Sequence, residues 1–477
     1  MTSTLPTPVR RPVRPGPVLA VVLVSYFMIV LDNSIVFTGL ARIRDDLGFT
    51  TDGLSWVQNA YALVFGGLLL LAARAGDILG RRRMFVIGLT IFSVASLAIG
   101  LAPTAEWLIA SRALQGIGSA ILAPTSLALL TANFEAGPQR TRAIAAYGST
   151  AGIGASLGLV LGGVVADLTS WRVGFLINVP IGIVLAITTL RHIEETPRAR
   201  GSFDVLGAVS STLGMTALVY GITRTADAGW TAPAALLPLL VGVILLTAFV
   251  LIETRVSQPI LPLRVLADRS RGGAFIARML FAGAIFGYFF FIGQFLQSAL
   301  GFSPLQAGLA FLPMTIVQFG LSLLVPRLTR RFGNAVLVIV GLAITCAGMA
   351  WLSLIDADST YALAVALPMV LLGAGQGLGF APLTAVGVGG VDHRDAGAAS
   401  GAVNVAHQLG GALGVSVMVA VAAAATPDGQ VASEASAGIA TGALLLGIAL
   451  VATLTLLTPA RRAGRGPRLD PEMETSA

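Results

Sequence analysis

The chain has 477 residues, of which 55% are hydrophobic and only 11% are charged. Soluble globular proteins carry about 25% charged residues, so this composition excludes an ordinary soluble enzyme or binding domain. The net charge is +7, but the basic residues alternate loop by loop between apolar runs instead of clustering on one domain, which excludes nucleic acid as a partner.

Fourteen apolar segments follow one another along the chain, and helices built from them would cross roughly 30 Å of hydrocarbon. The sequence therefore predicts an all-α, polytopic membrane protein with 14 transmembrane helices. The predicted spans are residues 18–40, 54–73, 84–102, 107–130, 143–165, 173–190, 204–222, 233–253, 273–297, 306–326, 334–355, 361–386, 397–424 and 438–458.

The distribution of arginine predicts the side on which each loop lies. The chain has no lysine, and with a cytoplasmic N-terminus 24 of its 30 arginines fall in cytoplasmic segments, four in outside loops and two within spans. This asymmetry follows the positive-inside rule and predicts that both termini are cytoplasmic. The exclusive use of arginine indicates a GC-rich bacterial genome, so the expected location is a bacterial cytoplasmic (inner) membrane.

The first span contains an aspartate, Asp32, in the stretch MIVLDNSIV (28–36). At 1.5 Å per residue, Asp32 lies roughly 12 Å below the outer end of its span and Arg112 of the fourth span roughly 8 Å below the same surface. The similar depth predicts an ion pair. Burial disfavours an ionised carboxylate and a nearby arginine favours it, so Asp32 with Arg112 is the predicted proton-coupling pair; the alternative is an aspartate that only packs helices.

Two charged, proline-bearing segments, residues 191–203 and 254–272, divide the spans into groups of six, two and six. The predicted plan is an N-terminal tail (1–17), a six-helix bundle (18–190), a linker region with two extra helices (191–272), a second six-helix bundle (273–458) and a C-terminal tail (459–477). Both tails are expected to be cytoplasmic.

An internal repeat relates the two bundles. LGFT (47–50) and RAGDILG (74–80) recur 253 residues later as LGFS (300–303) and RLTRRFG (327–333), and QGIG (115–118) recurs as QGLG (376–379). Related halves around a central site are typical of secondary transporters. Asp32 aligns with Ile285 and Arg112 with Gly373, so the ionisable residues are predicted in the first half and a substrate wall in the second.

The ninth span carries that predicted wall. Its aromatic residues at seven-residue spacing form a face suited to flat apolar compounds and cations, or alternatively a face turned to lipid. Gln294 and Gln297 add neutral polar groups to this face. Gln115 and Gln376, the glutamines of the repeated QGIG and QGLG motifs, are predicted to contact the substrate as well. The predicted substrate contacts are Phe281, Tyr288, Phe295, Gln294, Gln297, Gln115 and Gln376.

Several motifs resemble those of the major facilitator superfamily, and within it the fourteen-span drug/proton antiporters, over essentially the whole chain. RAGDILGRRR (74–83) is similar to the loop G-x-L-a-D-r-x-G-r-r, with Ala73 and Ala75 in place of its first glycine and its leucine. IASRALQGIGSAILAP (109–124), LDNSIV (31–36) and WRVGFLINVPIG (171–182) also match. SLGLVLGG (156–163) is similar to the antiporter signature a-l-G-P-x-l-G-G, with Leu159 where proline is expected.

The resemblance implies a major facilitator fold of two six-helix bundles plus two additional central helices. It implies a conformational-switch loop that latches the two halves in one state, formed by Asp77, Gly80, Arg81 and Arg82. It assigns Gly154, Gly158, Gly162 and Gly163 to the helix-packing antiporter motif. His407 stands where the family pattern has arginine; it is either a secondary proton site or a neutral, hydrogen-bonded packing histidine.

The predicted function is proton-coupled efflux of lipophilic, cationic drugs or secondary metabolites by alternating access. The protein is expected to be no enzyme, to need no cofactor or metal, and to work as a monomer with a small lipophilic substrate, protons and the lipid bilayer as its partners. The alternatives are a proton-coupled uptake symporter, which the missing signature proline favours, and a lipid or metabolite flippase of the same superfamily.

Overall fold

The computed structural model describes residues 15–134, 137–196, 198, 203–256, 258–391, 395–426 and 430–457. The predicted tails, apart from residues 15–17, lie outside these ranges. We number the membrane helices α1 to α14. They are α1 (Pro15–Leu47), α2 (Thr51–Leu79), α3 (Arg81–Gly100), α4 (Ala105–Asn133), α5 (Pro138–Leu168), α6 (Trp171–Leu176 and Asn178–His192), α7 (Val205–Ala228), α8 (Pro233–Glu253), α9 (Arg269–Gln294, continued by the π-helical turn Phe295–Ala299), α10 (Pro304–Ala310 and Leu312–Ser322), α11 (Asn334–Leu352), α12 (the π-helical turn Tyr361–Ala366 and Leu367–Val388), α13 (Ala396–Ala425) and α14 (Val431–Leu456). Short helices at Leu263–Ala267 and Val325–Phe332 lie between them.

Thirteen of these helices are long and apolar enough to cross a membrane. The remaining one, α5, has 31 residues, and its apolar part, Ile153–Leu168, overlaps the predicted fifth span and ends three residues beyond it. The predicted all-helical fold is confirmed. Several helices extend beyond their apolar segments because polar residues at a membrane surface continue the helix: α1 reaches Leu47 and α14 begins at Val431.

Helix α6, like α10, is interrupted where the sequence predicted a continuous span. The two parts of α6 meet at Ile177. Pro180 lacks an N–H group and its ring clashes with the carbonyl group four residues earlier, that of Leu176. The break places Asn178 at the start of the second part of α6, in the interior of the bundle.

The two extra helices pack at one edge of the contact between the bundles. In the N-terminal bundle α1 packs on α5, and α4 on α2 and α3; in the C-terminal bundle α9 packs on α13 and α14, and α12 on α10 and α11. The bundles meet through α2 with α13 and α5 with α10. Helix α7 contacts both α2 and α13, while α8 packs on α7, so the extra pair covers the α2–α13 seam from outside.

On the side opposite Pro15 and Leu457, the two bundles are joined by hydrogen bonds. Helices α5 and α10 meet closely there, with Ser303 Oγ donating to Asp167 Oδ2 at 2.8 Å. Helices α1 and α9 meet at the same side, where Gln297 Nε2 donates to the carbonyl oxygen of Thr38 at 3.2 Å. The seam is therefore closed on the opposite side, away from the start of α1.

The repeat found in the sequence has a matching backbone conformation. Gly48 and Gly301, 253 residues apart, have φ angles of 69° and 68°, and Gly80 and Gly333 have φ angles of 107° and 85°. Glycine tolerates positive φ because it has no Cβ. Each of the latter two residues ends one helix and begins the next, so both halves turn the chain by the same means.

Candidate functional site

Asp32 and Arg112 form a buried ion pair inside the N-terminal bundle. Asp32 lies on α1 and Arg112 on α4, and Arg112 Nη1 is 2.9 Å from Asp32 Oδ2. Both side chains are completely inaccessible to solvent. The structure thus brings together the two charged residues that the sequence places at similar depth.

The second carboxylate oxygen of Asp32 accepts hydrogen bonds from two amides. Gln115 Nε2 of α4 and Asn178 Nδ2 of α6 each donate to Asp32 Oδ1 at 2.8 Å. Ser96 Oγ of α3 lies 2.8 Å from Gln115 Nε2 and 3.4 Å from Asn178 Nδ2. Three donors to one carboxylate favour its ionised form, which offsets part of the cost of burying it.

Arg112 is fixed from several directions. Its Nε donates to the carbonyl oxygen of Val57 at 2.9 Å, and its Nη1 also donates to Gln115 Oε1 at 2.5 Å. The guanidinium carbon lies 4.2 Å from the centroid of the Tyr61 ring. A cation–π contact stabilises a desolvated guanidinium, so Arg112 holds its charge and its orientation beside Asp32.

This arrangement links one proton to the packing of several helices. If Asp32 takes up a proton, it loses its charge attraction to Arg112, and the amide donors lose an anionic acceptor. Helices α1, α4 and α6 would then lose a shared contact, whereas the bond from Arg112 to the Val57 carbonyl of α2 does not depend on that charge. The arrangement would allow a local change of charge to alter helix packing, which is what a proton-driven switch requires.

The predicted switch loop, between α2 and α3, is held by its own bundle. Arg81 Nη2 pairs with Asp77 Oδ1 at 2.9 Å, and Arg81 Nη1 donates to a carbonyl group of α4. Glu195, just after α6, accepts the backbone N–H groups of Arg82 and Arg83 at 3.0 Å each, and so caps the start of α3. These hydrogen bonds join α2, α3, α4 and α6, all within the N-terminal bundle.

The four predicted motif glycines of α5 face two different helices. Gly154, Gly158 and Gly162 lie along α1, and a Cβ placed on Gly158 would be 2.6 Å from the Cβ of Ser34. Gly163 faces α10 of the other bundle instead, so close that a Cβ there would meet a backbone carbonyl oxygen at 2.5 Å. The motif therefore packs α5 on α1 and also brings the two bundles together.

The three aromatic residues predicted to form a substrate wall, Phe281, Tyr288 and Phe295, lie inside the C-terminal bundle. At most 2% of each is exposed. The contact of Tyr288 and Phe295 with substrate stays a prediction, and in this conformation neither a cavity nor lipid reaches them. The reason is that α9 packs against α12, α13 and α14 and, across the seam, against α1, so its aromatic side chains are surrounded by helices.

The four glutamines predicted as substrate contacts have different surroundings. Gln115 is buried in the Asp32 cluster. Gln294 donates to a carbonyl group of its own helix, and the amide of Gln376 lies 3.5 Å from a methionine sulfur of α10. Gln297 donates to a backbone carbonyl of α1, so this glutamine links the two bundles.

His407 lies on α13 against two aromatic rings. Its ring centroid is 5.2 Å from that of Phe286 and 5.8 Å from that of Phe380. Its Nδ1 atom is buried and has no hydrogen-bond partner among the described residues. The expectation of a hydrogen-bonded packing histidine is therefore not met at Nδ1, because the ring is held by aromatic packing instead.

Two residues of the Asp32 cluster, Asn178 and Ser96, were not predicted from the sequence. Asn178 was detectable, because it is an amide within the apolar stretch FLINVPIG (175–182), as Asp32 is a carboxylate within an apolar stretch. Ser96 offered no such signal, since serines inside spans commonly bond to their own helix.

Comparison with known proteins shows the family to which this chain belongs. Residues 22–415 match the family model of the Major Facilitator Superfamily. The chain is 39% identical to the cephamycin export protein of Amycolatopsis lactamdurans, over 91% of each chain. It is 38% identical to the puromycin resistance protein of Streptomyces alboniger, over 86% of this chain and 82% of that one.

Solved structures share the fold. A bacterial homologue of the human lysosomal transporter Spinster, crystallised in an inward-facing and unoccupied conformation, superposes with a TM-score of 0.65 at 16% identity, covering 94% of this chain and 99% of that one. This likeness concerns the fold alone. Together with the family match and the antibiotic export and resistance relatives, it shows that the chain is a membrane transporter of the major facilitator superfamily, in its drug-efflux group, and not an enzyme.

Proposed function

We propose that this protein is a proton-coupled antiporter that exports small lipophilic compounds, with Asp32 as the residue that carries the proton. The observation that carries the proposal is the fully buried Asp32–Arg112 pair at 2.9 Å. A charged pair inside a membrane bundle marks ion or proton pathways more often than simple packing. Its contacts with Val57 of α2, Gln115 of α4 and Asn178 of α6 give protonation a means of moving helices.

The relatives, an export protein and a resistance protein, support export as the direction of transport. The positive-inside distribution supports cytoplasmic termini in a bacterial cytoplasmic membrane, so the closed side of the seam faces outward. In this conformation the compound enters from the cytoplasm while Asp32 is ionised. After the bundles rock, an external proton neutralises Asp32 and the compound leaves. The protein works as a monomer and draws on the proton gradient without a cofactor.

The relatives suggest the first compounds to test. They are named for cephamycin export and puromycin resistance, and both antibiotics belong in the panel. Ionised Asp32 attracts a positively charged group when its pair with Arg112 opens, so lipophilic cations such as ethidium and tetraphenylphosphonium belong there too.

Growth in the presence of this panel tests the proposal. Cells that produce the wild-type protein should tolerate several-fold more of at least one compound than cells with an empty vector. Asp32→Asn should insert normally but abolish the protection, because an amide does not release a proton. The matched control is Asp358→Asn, since Asp358 is an exposed residue of the loop between α11 and α12; this variant should protect as the wild type does.

Three other results would contradict the proposal. Increased sensitivity of the producing cells would indicate uptake, as expected of a symporter. Flipping of a fluorescent phospholipid in proteoliposomes, without protection against any compound, would indicate a flippase. Near-normal active export by Asp32→Asn would remove Asp32 from the mechanism.

A further inference from the structure

Arg278 is a second arginine within the membrane helices, and it has no counter-ion among the described residues. It lies nine residues after α9 begins at Arg269, roughly 14 Å along the helix. Only 4% of it is exposed, and its Nε and Nη1 atoms are buried without a hydrogen-bond acceptor in the described part of the chain. An unpaired buried cation is costly, so this position requires a compensating anion.

The sequence offers no acid at this depth to balance Arg278. Two arginines lie within spans, Arg112 and Arg278, whereas Asp32 is the only acidic residue well inside one. Asp32 is already bonded to Arg112. The interior of the membrane domain therefore carries one positive charge without a partner, and it lies on the C-terminal bundle.

The surroundings of Arg278 are aromatic and partly accessible. Its guanidinium carbon lies 3.8 Å from the centroid of the Phe380 ring, which is 6.5 Å from the ring of Phe281 and 5.8 Å from that of His407. Phe380 remains 38% exposed. The unpaired donors of Arg278 and the Nδ1 atom of His407, which has no partner among the described residues, are thus buried beside an aromatic ring that is itself partly exposed.

The other bundle contributes the facing wall. Tyr26 of α1 lies within electrostatic range of Arg278. Its ring stacks on that of Tyr147 of α5, with centroids 4.1 Å apart, and both tyrosines are partly exposed. The site therefore lies between α1 and α5 of one bundle and α9, α12 and α13 of the other, where an alternating-access transporter binds its substrate.

We propose that Arg278 binds a carboxylate of the transported compound, whose apolar body lies against Phe380 and the two tyrosines. The substrates are then amphipathic organic acids or zwitterions. Guanidinium–carboxylate hydrogen bonds are charge-assisted, and aromatic rings stack on flat apolar groups. The phosphate of a lipid headgroup offers similar anionic oxygens, but headgroups lie at the membrane surface, whereas Arg278 lies well inside its helix.

This assignment rests on the proposed function for its role in transport, but binding itself requires no proton coupling. The test therefore measures binding, with a matched pair of probes: 1-naphthylacetate and its uncharged amide, 1-naphthylacetamide. Equilibrium binding is measured on the purified full-length protein in phosphatidylcholine nanodiscs, for the wild type, Arg278→Gln, Arg278→Lys, Asp32→Asn and the exposed control Arg327→Gln.

The wild type should bind the carboxylate about tenfold or more tightly than the amide, as expected for a charge-assisted hydrogen bond. Arg278→Gln should remove this preference while still binding the amide, which shows that the variant is folded. Arg278→Lys should keep part of the preference, and Arg327→Gln all of it. Asp32→Asn should also keep it, so a failure of proton coupling is distinguished from a failure of this site.

The assignment is overturned by any of three results. The first is that the wild type binds both probes equally, and the second is that it binds no carboxylate at millimolar concentration. The third is that Arg278→Gln, shown by gel filtration to be intact, retains the preference for the carboxylate.

Discussion

At the scale of single residues, the geometry of Arg112 explains why an arginine is needed there. Its Nη1 atom bonds to Asp32 and Gln115, while its Nε atom bonds to the carbonyl oxygen of Val57 on another helix. The planar guanidinium thus joins α1, α2 and α4 with fixed angles. A lysine has one nitrogen at the end of a flexible chain and cannot keep both the carboxylate and the Val57 carbonyl.

This argument gives a prediction for Arg112. Arg112→Lys should keep Asp32 ionised but lower the export rate about tenfold, since losing a hydrogen bond to a charged group costs about 1.5–3 kcal/mol. Arg112→Ala should stop export, because Asp32 without its partner stays protonated in the buried site. The measurement is proton release from proteoliposomes on addition of substrate, followed with a pH-sensitive dye.

The exposed residue Arg327 provides the matched control, and Arg327→Lys and Arg327→Ala should behave as the wild type. If Arg112→Ala released protons at the normal rate and with unaltered pH dependence, the pair would have no role in coupling.

The sequence predicted part of this cluster for a physical reason. A charged residue within an apolar run can be recognised from the sequence alone. The rise of the helix converts its position into a depth in the membrane, and the similar depths of Asp32 and Arg112 predict that they form a pair. The placement of Tyr288 and Phe295 was not predictable in this way, because an aromatic face on a helix looks the same whether it meets lipid, substrate or other helices. Only the packing of α9 against its neighbours decides among them.

At the scale of helices, α5 uses one glycine motif to pack against two different helices, α1 and α10. Its face toward α1 packs two helices of the same bundle, while Gly163 lies against Pro304 of α10 in the other bundle. In the proposed alternating-access cycle, the first contact remains while the second opens. Substitutions on the two faces should therefore have different effects.

Gly163→Ala should part the bundles on the side opposite the termini. The added methyl group would meet a backbone carbonyl oxygen, and such overpacking costs about 1–3 kcal/mol. Disulfide formation between cysteines at Asp167 and Ser303, whose side chains meet at 2.8 Å, reports this closure when Cys346 is replaced by serine. We expect several-fold slower crosslinking in Gly163→Ala.

Gly447→Ala is the matched control, because a Cβ at Gly447 on α14 meets no atom within 4 Å; it should crosslink as the parent does. Equal crosslinking in both variants would show that Gly163 has no part in closing the seam.

The sequence predicts where the helices lie along the chain better than it predicts which helices pack against each other. Apolar length is enough to identify a membrane helix, and the repeat placed equivalent turns at Gly80 and Gly333. The position of α7 against α2 and α13 had no signal in the chain, because a lipid-exposed helix and a seam-covering helix have the same apolar composition. The break in α6 was signalled by Pro180 but lay within a run apolar enough to appear continuous.

At the scale of the whole molecule, charge balance connects the proton site with the proposed anion site. Asp32 is the only acidic residue well inside a span, so we expect one proton to enter per cycle. The charge moved then depends on the compound that leaves. Export of a monovalent cation in exchange for one proton moves no net charge, export of a zwitterion moves one, and export of an organic anion moves two.

The membrane voltage therefore distinguishes these substrates. An inside-negative voltage contributes about 2.3 kcal/mol per charge and 100 mV, so it should drive export of an anion twice as strongly as that of a zwitterion and should not drive export of a monovalent cation. A pH gradient should drive all three by about 1.4 kcal/mol per unit. Proteoliposomes with voltage and pH gradient imposed separately measure both contributions. Voltage-driven export of a monovalent cation without a pH gradient would require more than one proton per cycle. His407, whose Nδ1 has no hydrogen-bond partner in the described part of the chain, would then be the next residue to substitute.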